Sequence, residues 1–138
     1  MSIEELTGYV ADYRYIETID RRIKALEEAL ERTTTRLNGM PHGSDGSDKM
    51  ASLIATIVDL KTKLDERRIE AEAGMQKVDA VLDALPAQQK TVMRLRFVDC
   101  LPWEGVSKKT HWSVSYLFKI RNAALERMKK GDINATLN

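Results

Sequence analysis

One apolar seam, unbroken for five heptads, constrains this chain more than any other feature. It runs Met50, Leu53, Ile57, Leu60, Leu64, Arg67, Ala71, Gly74, Val78, Val81, Leu85. Steps of three and four residues fall on one stripe of a 3.6-residue repeat and cannot line one face of a strand. The segment therefore predicts a helix about 54 Å long. Arg67 and Gly74 are its weak places, where loose packing, solvent access or a bend is expected. An earlier seam, Ile16, Ile19, Ile23, Leu26, Leu30, Thr33 and Leu37, has the same period with one polar break at Thr33. Thr33-Thr34-Thr35 has poor helix propensity and predicts fraying. Ahead of it, Ile3, Leu6, Val10 and Tyr13 suggest a short helix or a leading segment of the first long one. Tyr9, Tyr13 and Tyr15 read as packing residues with wet hydroxyls.

Residues 38–48 separate the two seams. Asn38-Gly39, Pro41, Gly43 and Gly46 interrupt a helix, and Ser47 or Asp48 can cap the next one. His42 has no second metal ligand at binding spacing, and Asp45 and Asp48 suit turn and cap roles. Two long helices across such a connection predict an antiparallel, coiled-coil-like hairpin over residues 1–85. The first helix is the shorter and covers only part of the second. The rest of the seam must pack on Met1 to Tyr13, on the C-terminal third or on another subunit. An uncovered apolar seam marks an interaction surface, so a homodimer through the long helices is expected, with an intramolecular three-helix bundle as the competing arrangement.

The net charge of +1 hides an asymmetry. Residues 1–85 hold 12 Lys/Arg and 17 Asp/Glu, and residues 86–138 hold 10 and 4, so −5 faces +6. A basic end on an acidic body is the distribution expected of a nucleic-acid-binding head. The single cysteine, Cys100, excludes an internal disulfide and suits a reducing cytoplasm. Before Leu101-Pro102 it reads as a small, partly buried residue. Met1 to Val10 carries Glu4 and Glu5 and has no basic start, unlike a signal peptide. No uncharged apolar run approaches the roughly 20 residues of a membrane span. A cytoplasmic protein without membrane contact is expected. Enzyme readings fail on inventory, because His42 and His111 lack neighbouring nucleophile or carboxylate motifs. There is also no glycine-rich phosphate loop, CxxC or HExxH. No metal or cofactor is expected.

Residues 86–138 read as three short helices. Leu85-Pro86 ends the second long helix, because the residue before proline is pushed out of the α region. Pro86 fits the first turn of a new one. Val92, Met93, Leu95, Arg96 and Phe97 follow at helical spacing. Leu101-Pro102 breaks the chain again, and Trp103 to Lys109 fits a second helix. Thr110-His111-Trp112 makes a turn. Ser113 can cap a third helix whose inner face is Leu117, Ile120, Ala124 and Met128. Two helices across a short turn, the second amphipathic, follow the helix-turn-helix plan.

This stretch resembles the helix-turn-helix of sigma-70 region 4. It is closer still to small sigma-70-like phage and prophage proteins of Firmicutes and to a phage family of unknown function. The resemblance is carried by Leu85-Pro86, Val92-Met93-Arg94-Leu95-Arg96-Phe97, Leu101-Pro102-Trp103-Glu104, Tyr116-Leu117-Phe118-Lys119-Ile120 and Ala124-Leu125. The loop Gly39-Met40-Pro41-His42-Gly43-Ser44 and Ser47-Asp48-Lys49 are also similar. Gly105 stands where that family has an acidic helix former, His111 where the turn has glycine, and Thr110 where it has an apolar packing residue. These departures bear on the second helix and on the sharpness of the turn. The resemblance implies an all-α protein whose third head helix reads DNA, with Trp103 and Glu104 starting the supporting helix.

The residues expected to bind duplex DNA are Lys108, Lys109, Ser113, Ser115, Tyr116, Lys119, Arg121 and Asn122. Lysine and arginine serve phosphates, and polar side chains on the leading turns serve base edges. With Leu117, Ile120 and Ala124 turned inward, positions 115, 119 and 122 fall on the outward face. Trp103 suits the head core or stacking on nucleic acid. Trp112 suits the core or the DNA backbone, and Phe118 a thymine methyl or the long helices. Arg94 and Arg96 suit phosphate contact or pairing with Asp99 and Glu104. The expected function is a sequence-specific phage or prophage transcription regulator, with RNA polymerase as a further possible partner. Two alternatives are a small-terminase-like subunit that recognises DNA for packaging and a helical adaptor for polymerase or a host factor that does not bind DNA.

Overall fold

The computed structural model describes residues 1–38 and 44–137, and the side chains of residues 1–36 and 48–131. Its secondary structure is entirely helical: α1 (Ile3–Asn38), α2 (Ser44–Asp83), α3 (Ala87–Met93), α4 (Trp103–Thr110) and α5 (Val114–Leu137), with a π-helical segment, Arg94–Val98, continuing α3. No described helix is long and apolar enough to cross a membrane. Packing divides the chain into two compact units, Tyr13–Ala71 and Met1–Asp12 with Glu72–Asn138. The division expected between residues 85 and 86 is thus a break in the helix but not in the packing.

In the unit Tyr13–Ala71, Ile16, Ile19 and Ile23 of α1 are buried with Ile57, Leu60, Leu64 and Ala71 of α2, and Leu26 and Leu30 pack at the edge. The polar partners run in opposite directions along the two helices. Glu27 pairs with Lys61 at 2.9 Å, Asp20 meets Arg68 at 4.0 Å, and Tyr15 lies under the Arg67 guanidinium at 5.1 Å. Arg67 is therefore exposed on the flank and is not a seam residue. These exposed pairs add little, and burial of the isoleucine and leucine side chains, about 1.5–3 kcal/mol each, dominates.

Met1 to Tyr13 is not a separate helix, since α1 starts at Ile3 and runs through it. Ser2 Oγ accepts the Glu5 N–H at 3.1 Å, so Ser2-Ile3-Glu4-Glu5 carries the N-cap half of a capping box. Nor does the threonine run end α1. The hydroxyls of Thr33, Thr34 and Thr35 donate to the carbonyls of Ala29, Leu30 and Glu31 at 2.9–3.0 Å, and the helix continues to Asn38. The readings of the breaker cluster, His42 and the Ser47 cap included, fall on residues or side chains outside those described. The backbone is already helical from Ser44.

In the other unit, Leu6 and Val10 of α1 and Val78, Leu82 and Leu85 are buried together with Met93, Ala124 and Met128. Leu82, fully buried, takes the place expected of Val81, which lies at the cluster's edge. Gly74 is neither open nor loose. It is buried, and a β-carbon there would stand 2.6 Å from Tyr9 Cδ1, so the ring closes directly on the glycine backbone. The end of the α2 seam is thus covered within one chain.

Candidate nucleic-acid interface

A second cluster, Val92, Val106, Leu117 and Ile120, forms the core under the C-terminal helices, with Leu95, Leu101, Trp103 and Trp112 packed around it. The inner face of α5 is divided: Leu117 and Ile120 enter this cluster, while Ala124 and Met128 enter the one formed with α1 and α2. All four are buried, as their spacing predicts.

The helix α4 starts after Pro102, whose carbonyl accepts the Val106 N–H at 3.0 Å. It stops at His111, which takes the left-handed conformation (φ 63°, ψ 17°) that caps a helix C-terminus and usually belongs to glycine. The turn is tied from both sides. Ser107 Oγ donates to the Trp112 carbonyl at 2.6 Å, and Thr110 Oγ1 accepts the Trp112 N–H at 3.3 Å while donating to the Val106 carbonyl at 2.8 Å. Thr110 is thus engaged through its hydroxyl on both sides of the turn. Ser113 caps α5, its Oγ accepting the Tyr116 N–H at 3.1 Å and its carbonyl the Leu117 N–H at 2.9 Å.

Seven of the eight expected DNA-binding residues are exposed: Lys108 and Lys109 at the end of α4, Ser113 in the turn, and Ser115, Tyr116, Lys119 and Asn122 on α5. Ser115, Lys119 and Asn122 share the side opposite Leu117, Ile120 and Ala124. Arg121 is the exception. It is half-buried, with its guanidinium 4.8 Å from the Phe118 ring centre and 5.7 Å from that of Trp103. Its Nε and Nη2 donate to Asn122 Oδ1 at 3.2 and 3.1 Å. Phe118 also meets Trp103 edge-on at 5.1 Å, so it packs within the head and not on the long helices. Trp112 meets Tyr116 edge-on at 5.9 Å.

The other head cations are unequally engaged. Arg94 reaches Asp79 at 3.0 Å and Asp83 at 3.4 Å on α2, and not Asp99 or Glu104. Lys90 reaches Asp83 at 2.7 Å. The Lys90 ammonium, hydrogen-bonded to Asp83 and aided by Arg94, holds that carboxyl below its ordinary pKa. Arg96 donates to the Leu101 carbonyl at 3.1 Å and lies against Phe97 and Trp103. Six cations, Lys108, Lys109, Lys119, Arg127, Lys129 and Lys130, are exposed and form no ion pair among the described residues.

Cys100 is exposed, not partly buried, and adopts φ 57°, just after the π-helical segment in which Asp99 N–H bonds the Arg94 carbonyl. The sequence gives no sign of Gln88, whose Nε2 donates to the Tyr116 hydroxyl at 2.7 Å from 28 residues away. No group of His, Cys, Asp or Glu able to hold a metal occurs among the described residues. Neither protein-family models, curated proteins nor solved structures provide a match to this chain.

Proposed function

We propose that this protein is a sequence-specific duplex-DNA-binding regulator of the sigma-70 region 4-like kind, used by a phage or prophage in its bacterial host. In this reading α4, the turn at His111 and α5 form the helix-turn-helix, and α1 with α2 forms an antiparallel hairpin that supports it. The observation that carries the reading is the outward side of the first turns of α5. Ser115, Lys119 and Asn122 stand exposed there, with Lys108 and Lys109 exposed at the end of the preceding helix. Phosphates are bound by unpaired cations, and a groove is read by polar side chains on the leading turns of a helix. Arg121 is left out of the phosphate set, because Trp103, Phe118 and Asn122 already hold it.

Fluorescence anisotropy with random-sequence duplex at low salt tests the reading. Binding that weakens steeply with salt is expected. A folded protein that binds no duplex would overturn it and favour the adaptor reading.

A further inference from the structure

We propose that the outward face of α5 is a hydrogen-bond donor face, selective for base edges that present acceptors, with Arg121 and Gln88 as its positioning residues. The inference rests on the DNA-binding reading above and names the class of base that this site takes.

Asparagine normally reads adenine with both ends of its amide: the oxygen accepts from N6–H₂ and the nitrogen donates to N7. Asn122 has only one end free. Its Oδ1 takes two donors, Nε and Nη2 of Arg121 at 3.2 and 3.1 Å, which uses both lone pairs of a carbonyl oxygen. The amide orientation follows, because a guanidinium has no acceptor and can face only the oxygen. Arg121 is itself fixed by the rings of Phe118 and Trp103. What Asn122 presents outward is therefore its NH₂ group.

Tyr116 leans in the same sense without being restricted to it. Its hydroxyl oxygen accepts from Gln88 Nε2 at 2.7 Å, and the hydroxyl hydrogen is left to donate. Lys119 has donors only. Ser115 can act either way and does not oppose the bias. In the major groove the acceptors are guanine O6 and N7, adenine N7 and thymine O4, whereas cytosine N4 and adenine N6 are donors. The face fits guanine best, then thymine, and rejects a bidentate adenine contact at Asn122.

Selection from a randomised duplex pool, repeated with Arg121→Met and Gln88→Ala, tests this. Methionine keeps contact with Phe118 and Trp103 but releases Asn122 Oδ1. The wild type should enrich guanine or thymine at the position facing Asn122. Arg121→Met should gain adenine there by about tenfold relative to the other bases, the size of one good bidentate contact. Adenine enriched by the wild type, or a base preference identical in Arg121→Met, would overturn the proposal. The hydrogen bond is checked without DNA by NMR of the free protein: the Arg121 Nε–H resonance should shift on Asn122→Ala, and an unmoved resonance would also overturn it. If that resonance shifts but no pool sequence is enriched, the geometry stands, and both the base preference and the DNA-binding reading fall.

Discussion

The unit Tyr13–Ala71 and the C-terminal helices are held together by different kinds of residue. The first is a repeated contact: Ile16, Ile19 and Ile23 meet Ile57, Leu60 and Leu64, and any one of them resembles the next. The second depends on single residues with no repeat. His111 turns the chain in a left-handed conformation, Thr110 and Ser107 tie the turn, and Arg96 and Arg121 lie between aromatic rings. A periodic core tolerates a local loss, whereas a small core of four buried side chains does not.

Truncation should bring out that contrast most strongly. Leu117 is fully buried, at 0% accessibility, in the small core. Leu117→Ala should cost about 3–5 kcal/mol, the upper part of the range for leucine truncation. Leu60→Ala, at 8% accessibility in the repeated seam, should cost about 2–3 kcal/mol. Urea denaturation of both variants checks this, and equal losses would erase the contrast.

Gly74→Ala comes next. On helix propensity alone alanine should gain up to about 1 kcal/mol. With Tyr9 Cδ1 at 2.6 Å from the new β-carbon, a net loss of about 1–2 kcal/mol is expected instead. A double-mutant cycle with Tyr9→Ala should show strong coupling, and additive effects would mean that the close approach does not matter.

At the turn the expected sign reverses. His111→Gly should gain about 1 kcal/mol, because only glycine takes the left-handed conformation freely. A rise in thermal midpoint checks it. The smallest effect concerns Asp83. A carboxyl with a pKa lowered by folding stabilises the fold above its unfolded pKa, and that contribution is lost as pH falls through the folded value. Asp83→Asn should therefore flatten the acid limb of the stability profile, lowering stability slightly at pH 8 and converging with the wild type in acid. A steeper acid limb would contradict the assigned pairing with Lys90 and Arg94.

The same contrast explains what the sequence made legible. Periodicity located the buried sides of α1, α2 and α5, because burial follows from spacing alone: Ile16, Ile19, Ile23, Ile57, Leu60, Leu64, Leu117, Ile120, Ala124 and Met128 are all buried. Arg67, a weak place where solvent access is expected, is exposed, whereas beyond Val78 the packing shifts by one and buries Leu82 in place of Val81. Arg121 could have been read correctly, since it lies four residues after Leu117 and three before Ala124, on the inner side. Arg94 with Asp79 and Asp83, and Gln88 with Tyr116, could not. Spacing gives the face a residue occupies, but not its partner on another helix. The turn at Thr110-His111-Trp112 was legible, and the structure adds the left-handed conformation that His111 takes in it.

The central claim, that the outward face of α5 lies against DNA phosphates and bases, is tested most directly by the salt dependence of duplex binding for the wild type, Lys119→Ala and a control, Lys24→Ala, in the other unit. The account predicts that Lys119→Ala weakens binding and lowers the slope of log K against log salt by about one, with Lys24→Ala matching the wild type. A slope unchanged by Lys119→Ala, in a protein that still binds DNA, would contradict it.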